Sequence, residues 1–455
     1  MNTEHTRPQR PAGSPPETFI ARLFRRATVV EPYEAKAVAL AMTCFFLLFG
    51  SYSVIKPVRD AMGTVYGMSH IQELFTGTFL ASIVLAPIYS WLASRIRLTR
   101  FLPGVYAVVA TSILVFYILF VRAGEQQDRA VAAAFYVWVS TFNILIISVF
   151  WSFMADLFSR PQAKRLFGLI AAGATLGGIA GPALATGLAK TIGNGGLMLV
   201  AAGGFACAAW LVAGLALMRR PAPPGEAAGG SAVAQDGTPR RPLAGKALDG
   251  FRLLLRSPYL LLIAAFLLLM TWISTIVYIQ LGDLISHAFP DREARTQAYA
   301  MIDLVVNSLA LVMQVFGTGR FISRFGATAG LMLNPIVMVI AFLAIAFSPV
   351  LMVLGGVQIL RRVAEYAVAK PTREMLFTVV DQESKYKAKN VIDTVVYRFG
   401  DLSAAWVGSW ILPYGVVGLA VFGGLVTAVW IPVAYALGAR YESERHRAGS
   451  EGQMG

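Results

Sequence analysis

The chain alternates long apolar runs with short polar connections. Twelve runs can be marked, at 37–57, 70–93, 101–121, 131–155, 166–188, 195–218, 258–284, 297–318, 328–347, 350–378, 390–412 and 415–438. Each is close to the roughly 20 residues that a helix needs to cross a hydrocarbon core. The Ser348-Pro349 pair predicts a tight turn between the ninth and tenth runs. The pattern therefore predicts an all-α membrane protein of twelve transmembrane helices.

One connection is unlike the others. Residues 219–257 open with RRPAPPGEAAGGSAVAQDGTPRRP, a Pro-, Gly-, Ala- and Ser-rich run that cannot bury a core. It divides the chain into a tail at 1–34, a six-helix bundle at 35–218, a linker at 219–257, a second six-helix bundle at 258–438 and a tail at 439–455. Leu243 to Arg256, with Phe251, Leu253, Leu254 and Leu255, reads either as an amphipathic helix on the membrane surface or as the first turn of the seventh span. A weak repeat links the halves. Leu92-Ala93-Ser94-Arg95 follows the second run and Phe321-Ile322-Ser323-Arg324 the eighth. Basic turns follow the fourth run, from Ser159, and the tenth, from Asp381. Two related halves with a solute site between them form a major-facilitator-like fold.

Composition strengthens this picture. The chain is 56% hydrophobic and 14% charged, with a mean hydropathy of +0.62, whereas soluble domains carry about 25% charged residues. The net charge of +14 would point to nucleic acid in a soluble protein. Here its distribution matters more. Even-numbered connections and tails hold 27 Lys and Arg, odd-numbered ones seven, and five fall inside the runs. That bias predicts both termini in the cytoplasm and no nucleic-acid partner. Met1 to Tyr33 has no short apolar core followed by a small-residue cleavage site, so the first span is expected to act as its own insertion signal. Cys44 and Cys207 read as packing residues, and four scattered histidines offer no zinc spacing. No cofactor, metal or catalytic constellation is expected, and the chain does not read as an enzyme.

Candidate chemistry lies in charges placed where charge is costly, about 2.5–3.5 kcal/mol each at a bilayer centre. The first run ends in Lys56-Pro57-Val58-Arg59-Asp60, and the eighth holds Asp303. The tenth holds Arg361, Arg362, Glu365, Lys370, Arg373 and Glu374; the eleventh holds Asp393, Arg398 and Asp401. Lys56 and Arg59 share a helix face, as do Lys370 and Arg373; Arg361 with Glu365, and Arg398 with Asp401, are spaced to pair. Arg361 and Arg362 are consecutive, so at most one is expected to point into a given site. Clustered cations suit phosphate or carboxylate. Lys56, Arg59, Arg398 and Arg361 are thus candidate substrate-binding residues. Asp60, Asp303, Asp401, Glu365, Lys370, Arg373 and Glu374 are candidates for coupling or gating, with interhelical salt bridges as the structural alternative. Gly173, Gly177 and Gly181 read as a close helix contact. Trp138, Phe150, Trp151, Trp272 and Tyr278 are able to stack on a base or ring, but read mainly as lipid-facing or interfacial aromatics.

Three stretches together carry a resemblance: Tyr52 to Asp60; Phe150 to Asp156 with Ala163 to Gly168; and Lys370 to Met375 with Asp381 to Lys385 and Lys387 to Arg398. From about residue 40 to 437 the chain resembles the ATP/ADP translocase family, which is related to the major facilitators. The resemblance implies twelve helices, nucleotide exchange, a bacterial inner membrane, and an anion-binding role for Lys56 and Arg59. The chain departs from that family twice. Tyr136 to Asn143 lacks the family's acid in the fourth helix, and Asp401 follows Arg398-Phe399-Gly400 where the family favours lysine. The expected partners are the lipid bilayer and a small, anionic solute, in a monomer or an undefined oligomer. Two other readings stay open: a proton-coupled exporter of a different small molecule, and a membrane assembly or regulatory protein that transports nothing.

Overall fold

Apolar segments that must satisfy every backbone group internally fold as helices, and helix dominates the computed structural model. It describes residues 30–31, 33–96, 98–122, 125–217, 247–380, 388–389 and 391–451. The first half comprises α1 (Ala35–Tyr66), α2 (Ile71–Arg95), α3 (Leu98–Arg122), α4 (Glu125–Leu157) and α5 (Arg160–Leu217). After α6 (Ala247–Arg256) come α7 (Pro258–Ala288), α8 (Arg292–Phe316), α9 (Thr318–Phe347), α10 (Leu351–Ala364), α11 (Lys370–Leu376), α12 (Tyr397–Ile411) and α13 (Gly415–Glu451). Among the described residues no strand occurs, and eight continuous helices are long and apolar enough to cross a membrane.

The expected runs map onto these helices with informative differences. The fifth and sixth runs both lie in α5, which bends at Gly193 with φ 68°, a left-handed conformation that glycine adopts without steric cost. A similar bend at Gly326 (φ 80°) splits α9, so Phe321 to Arg324 is helical rather than a turn. The tenth run is broken. A wide π-turn at Glu365–Ala369 joins α10 to α11, directly before Pro371, which cannot donate to the carbonyl of Ala367. A second π-turn at Ile392–Val396 leads into α12. The C-terminal tail expected from 439 continues α13 as helix to Glu451. The segment preceding α7 forms a separate helix, α6, and Ser257 then caps α7 by accepting from the Leu260 amide. Residue 218, residues 219–246 of the linker, 1–29 of the N-terminal tail and Asp381 to Lys387 lie outside the described residues.

Two apolar cores form, each drawn mainly from one side of the linker, although Met68, Ile71, Leu74 and Tyr136 join the second and Ala300 the first. In the first, Phe45 stacks on Phe150 at 4.2 Å between ring centres, beside Phe135, Phe142 and Phe205. The second holds Phe266, with its ring centre 5.5 Å from that of Trp430, together with Phe342 and Phe377. Phe150 is fully buried, and the Trp138 and Trp272 indoles donate to Ser112 and Ser403. Phe150 thus packs inside the protein, while Trp138 and Trp272 are half-buried with their indole nitrogens turned to neighbouring helices.

The glycine spacing on α5 is a helix contact. A Cβ at Gly177 would press on the Phe46 carbonyl and lie 2.8 Å from the Gly50 nitrogen; one at Gly181 would lie 2.6 Å from Ser53 Cβ. These clashes involve α1 backbone, which cannot rotate away. Gly177→Ala is expected to destabilise the protein by about 1–3 kcal/mol. Gly187→Ala, on the same helix with nothing within 4 Å of the added carbon, should be neutral or stabilising by about 0.5–1 kcal/mol. Thermal unfolding of the two variants in detergent checks the opposite signs.

Candidate functional site

Between the two cores lies a cavity of about 1070 Å³. Its walls come from α1, α2, α4 and α5 on one side and from α7, α8 and α10 to α12 on the other. All eleven candidate residues line it: Lys56, Arg59, Asp60, Asp303, Arg361, Glu365, Lys370, Arg373, Glu374, Arg398 and Asp401. Arg362 lines it as well, which corrects the expectation that only one of the two consecutive arginines faces a given site. Adjacent side chains on a helix diverge by about 100°, but long arginine stems in a wide cavity reach separate walls. Arg362 ion-pairs with Asp303 on α8, while Arg361 donates to Ser274 on α7 at 2.5 Å and to Glu365 at 2.7 Å.

The middle of the cavity is a network that joins the halves. Lys56 Nζ on α1 lies 2.5 Å from Asp303 Oδ2 on α8 and 3.8 Å from Asp60. Asp303 thus serves two cations, one from each half. Arg59 grips Asp60 through Nη2 at 2.5 Å and lies 5.3 Å from the Tyr136 ring centre. The Tyr278 hydroxyl, from α7, donates to Asp60 at 3.2 Å and accepts from the Tyr136 hydroxyl at 3.2 Å. Arg59 Nη1 and Arg398 Nη2 converge on one residue of α4: the first donates to Ser140 Oγ and the second to the Ser140 carbonyl, both at 3.4 Å.

Arg398 and Asp401 do not pair. Among the described residues neither has an ion-pair partner; Asp401 accepts from Thr275 at 3.2 Å, and the buried Arg398 Nε has no partner. Their spacing allows contact along α12, but each side chain turns to a different neighbouring helix. Lower in the cavity, Arg373 approaches Asp393 at 3.5 Å and Glu374 at 3.7 Å, while Lys389 ion-pairs with Glu374. These contacts all lie within the second half and do not bridge the mouth. Ser140, Tyr136 and Thr275 carried no sequence signal as site residues, and Tyr278 stood out only as one of several aromatics able to stack on a ring.

The two ends of the cavity differ. At the end where α1 finishes and α2 begins, the halves are tied by Arg295 to Thr64 at 3.0 Å, Gln297 to the Thr186 carbonyl at 2.9 Å, Ser409 to Gln72 at 2.7 Å and Arg292 to Asp128. Toward the opposite end, where α1 starts at Ala35, the lining continues down α11 as far as Glu374. Among the described residues, hydrogen bonds between the halves lie in the middle or toward the Tyr66 end.

The carboxylates of this cavity are paired with cations or isolated. Among the described residues no group of three His, Cys, Asp or Glu is placed to hold a metal ion. The arrangement instead offers guanidinium, ammonium and hydroxyl donors to a solute, with aromatic rings between them.

The Major Facilitator Superfamily model matches residues 38–371. ADP,ATP carrier protein 1 of Chlamydia pneumoniae is 23% identical over 483 residues, spanning 90% of this chain and 92% of its own length. ADP,ATP carrier protein 1 of Chlamydia muridarum is 26% identical, over 67% of this chain and 61% of its own length. Among solved structures, a bacterial homologue of the iron transporter ferroportin in an inward-facing state superposes with a TM-score of 0.63 at 12% identity, covering 88% of this chain and 99% of that one. The nucleoside transporter NupG superposes with a TM-score of 0.56 at 13% identity, over 90% and 99% of the two chains. With its all-helical architecture and a family match over most of its length, this multi-pass membrane chain belongs to the Major Facilitator Superfamily, a secondary transporter whose curated relatives are ADP,ATP carriers.

Proposed function

We propose that the protein moves an organic anion, a nucleotide or another phosphorylated metabolite, by alternating access between two six-helix halves. Lys56 and Arg59 hold the anion from the first half, Arg398 and Arg361 from the second. One observation carries this reading: the charges that are costly in hydrocarbon are gathered on the walls of one cavity between the halves. A purely structural set of salt bridges has no need to share a cavity. The names of the Chlamydia relatives support a phosphate-bearing solute. Asp60, Asp303 and Asp401 are the groups placed for coupling, and Lys370, Arg373 and Glu374 shape the mouth. The loop charge bias supports cytoplasmic termini, the bacterial relatives support a bacterial inner membrane, and on that topology the cavity opens inward.

The test is uptake of labelled nucleotides and phosphate into proteoliposomes preloaded with the unlabelled solute. Arg398→Gln is expected to lower the initial rate by about tenfold or more, since it removes a charge-assisted contact. Wild-type protein that is inserted and folded but takes up no anion would overturn the reading.

A further inference from the structure

The balance of charge within the cavity limits what it can hold. Seven cations line it against six carboxylates, among the described residues, a surplus of one. Five of those cations and four of those carboxylates belong to the middle layer, while at the mouth Glu374 and Asp393 are held by Arg373 and Lys389. In that middle layer most charges are already engaged. Arg59 is committed to Asp60 and Arg361 to Glu365, and Asp303 is shared by Lys56 and Arg362. Arg398 and Asp401 remain. Among the described residues the guanidinium has only a 3.4 Å contact to a carbonyl and an unpartnered Nε, and the carboxylate has only Thr275.

We infer, resting on the anion reading above, that the cavity discriminates by net charge. It suits a solute of low net negative charge that presents one anionic group to Arg398 and a hydrogen-bond donor to Asp401, and it disfavours polyphosphates. Asp401 is the specificity-determining residue. A phosphomonoester carries about −1.5 to −2 at pH 7, which one surplus cation largely offsets. Further phosphoryl groups add charge that the walls do not neutralise, and uncompensated charge is penalised once water is excluded. Asp401 sharpens the limit because its carboxylate faces the cavity without a cation of its own. An amino or hydroxyl group of the solute satisfies it, and a second phosphoryl group is repelled by it.

The experiment compares initial uptake of labelled adenosine monophosphate and adenosine triphosphate in proteoliposomes, for wild type, Asp401→Asn and Asp401→Glu. Wild type is expected to favour the monophosphate by about tenfold or more, an amount equal to one compensated charge contact. Asp401→Asn should shrink that ratio by about tenfold through faster triphosphate uptake, and Asp401→Glu should keep it. Triphosphate uptake equal to or above monophosphate uptake in wild type overturns the charge limit while leaving anion transport standing. An unchanged ratio in folded Asp401→Asn overturns the role of Asp401. If wild type moves neither nucleotide nor inorganic phosphate, the anion reading falls and this inference falls with it. Should Asp401→Asn fail to fold, the wild-type ratio and Asp401→Glu still decide.

Discussion

Lys56→Glu is expected to abolish anion uptake, by at least about 100-fold in initial rate, a loss corresponding to about 2.7 kcal/mol. The size follows from the surroundings of the ammonium. Lys56 lies 2.5 Å from Asp303 and 3.8 Å from Asp60, so a glutamate there would face two carboxylates at once. The same change turns a surplus of one cation in the cavity into a deficit of one, and reverses the field that an arriving anion meets. Lys56→Gln removes the charge without creating repulsion and should cost about tenfold. Amounts of inserted protein, measured in the same vesicles, separate lost transport from lost folding. The variant also divides the anion reading from export of a cationic solute, because a cation is not repelled by a more acidic cavity. Retained anion uptake in Lys56→Glu would remove Lys56 from the binding site.

Much of the architecture was legible because bilayer thickness imposes a length scale on the sequence. Runs near 20 residues, such as 258–284 and 328–347, fall inside helices, and the Ser348-Pro349 turn separates α9 from α10. The irregularities were not legible. The apolar pattern shows that residues 166 to 218 hold two spans, but not that helix continues to a single bend at Gly193. The π-turn before Pro371 is likewise a backbone adjustment with no hydropathy signature. At the other extreme, α1 runs on through Lys56, Arg59 and Asp60 to Tyr66, since paired charges are tolerated where isolated ones would end a span.

The charged members of the candidate site stood out for the same energetic reason: a lysine or aspartate in an apolar run is conspicuous. Their partners were not. Ser140 and Thr275 are inexpensive in a membrane helix, where a hydroxyl bonds back to its own turn. Tyr136 and Tyr278 resemble any interfacial aromatic. Pairing was only half readable. Spacing correctly allowed Arg361 with Glu365, but it also allowed Arg398 with Asp401, which the structure leaves apart. Contacts between helices, such as Lys56 with Asp303 across 247 residues of chain, have no signature in local spacing.

Asp303→Asn is expected to be the most damaging single change to stability. The carboxylate is buried, and its two oxygens serve Lys56 from the first half and Arg362 from the second. Removing it leaves Arg362 without a counter-charge and Lys56 with only Asp60 at 3.8 Å, and breaking a buried pair in this way costs about 3–5 kcal/mol. Lys56→Gln alone should cost much less, because Asp303 keeps Arg362. In the double variant one orphan cation is gone, so part of the loss should return, with a coupling energy of about 2 kcal/mol. Thermal unfolding of the four proteins in detergent measures that cycle. Strict additivity would show that the Lys56–Asp303 contact contributes nothing across the halves. The cycle also reaches the transport mechanism. If a solute anion binds by taking the place of Asp303 beside Lys56 and Arg362, it should raise the unfolding temperature of Asp303→Asn more than that of wild type. An equal shift in both proteins would place the anion elsewhere in the cavity, with Asp303 acting as a fixed brace between the halves.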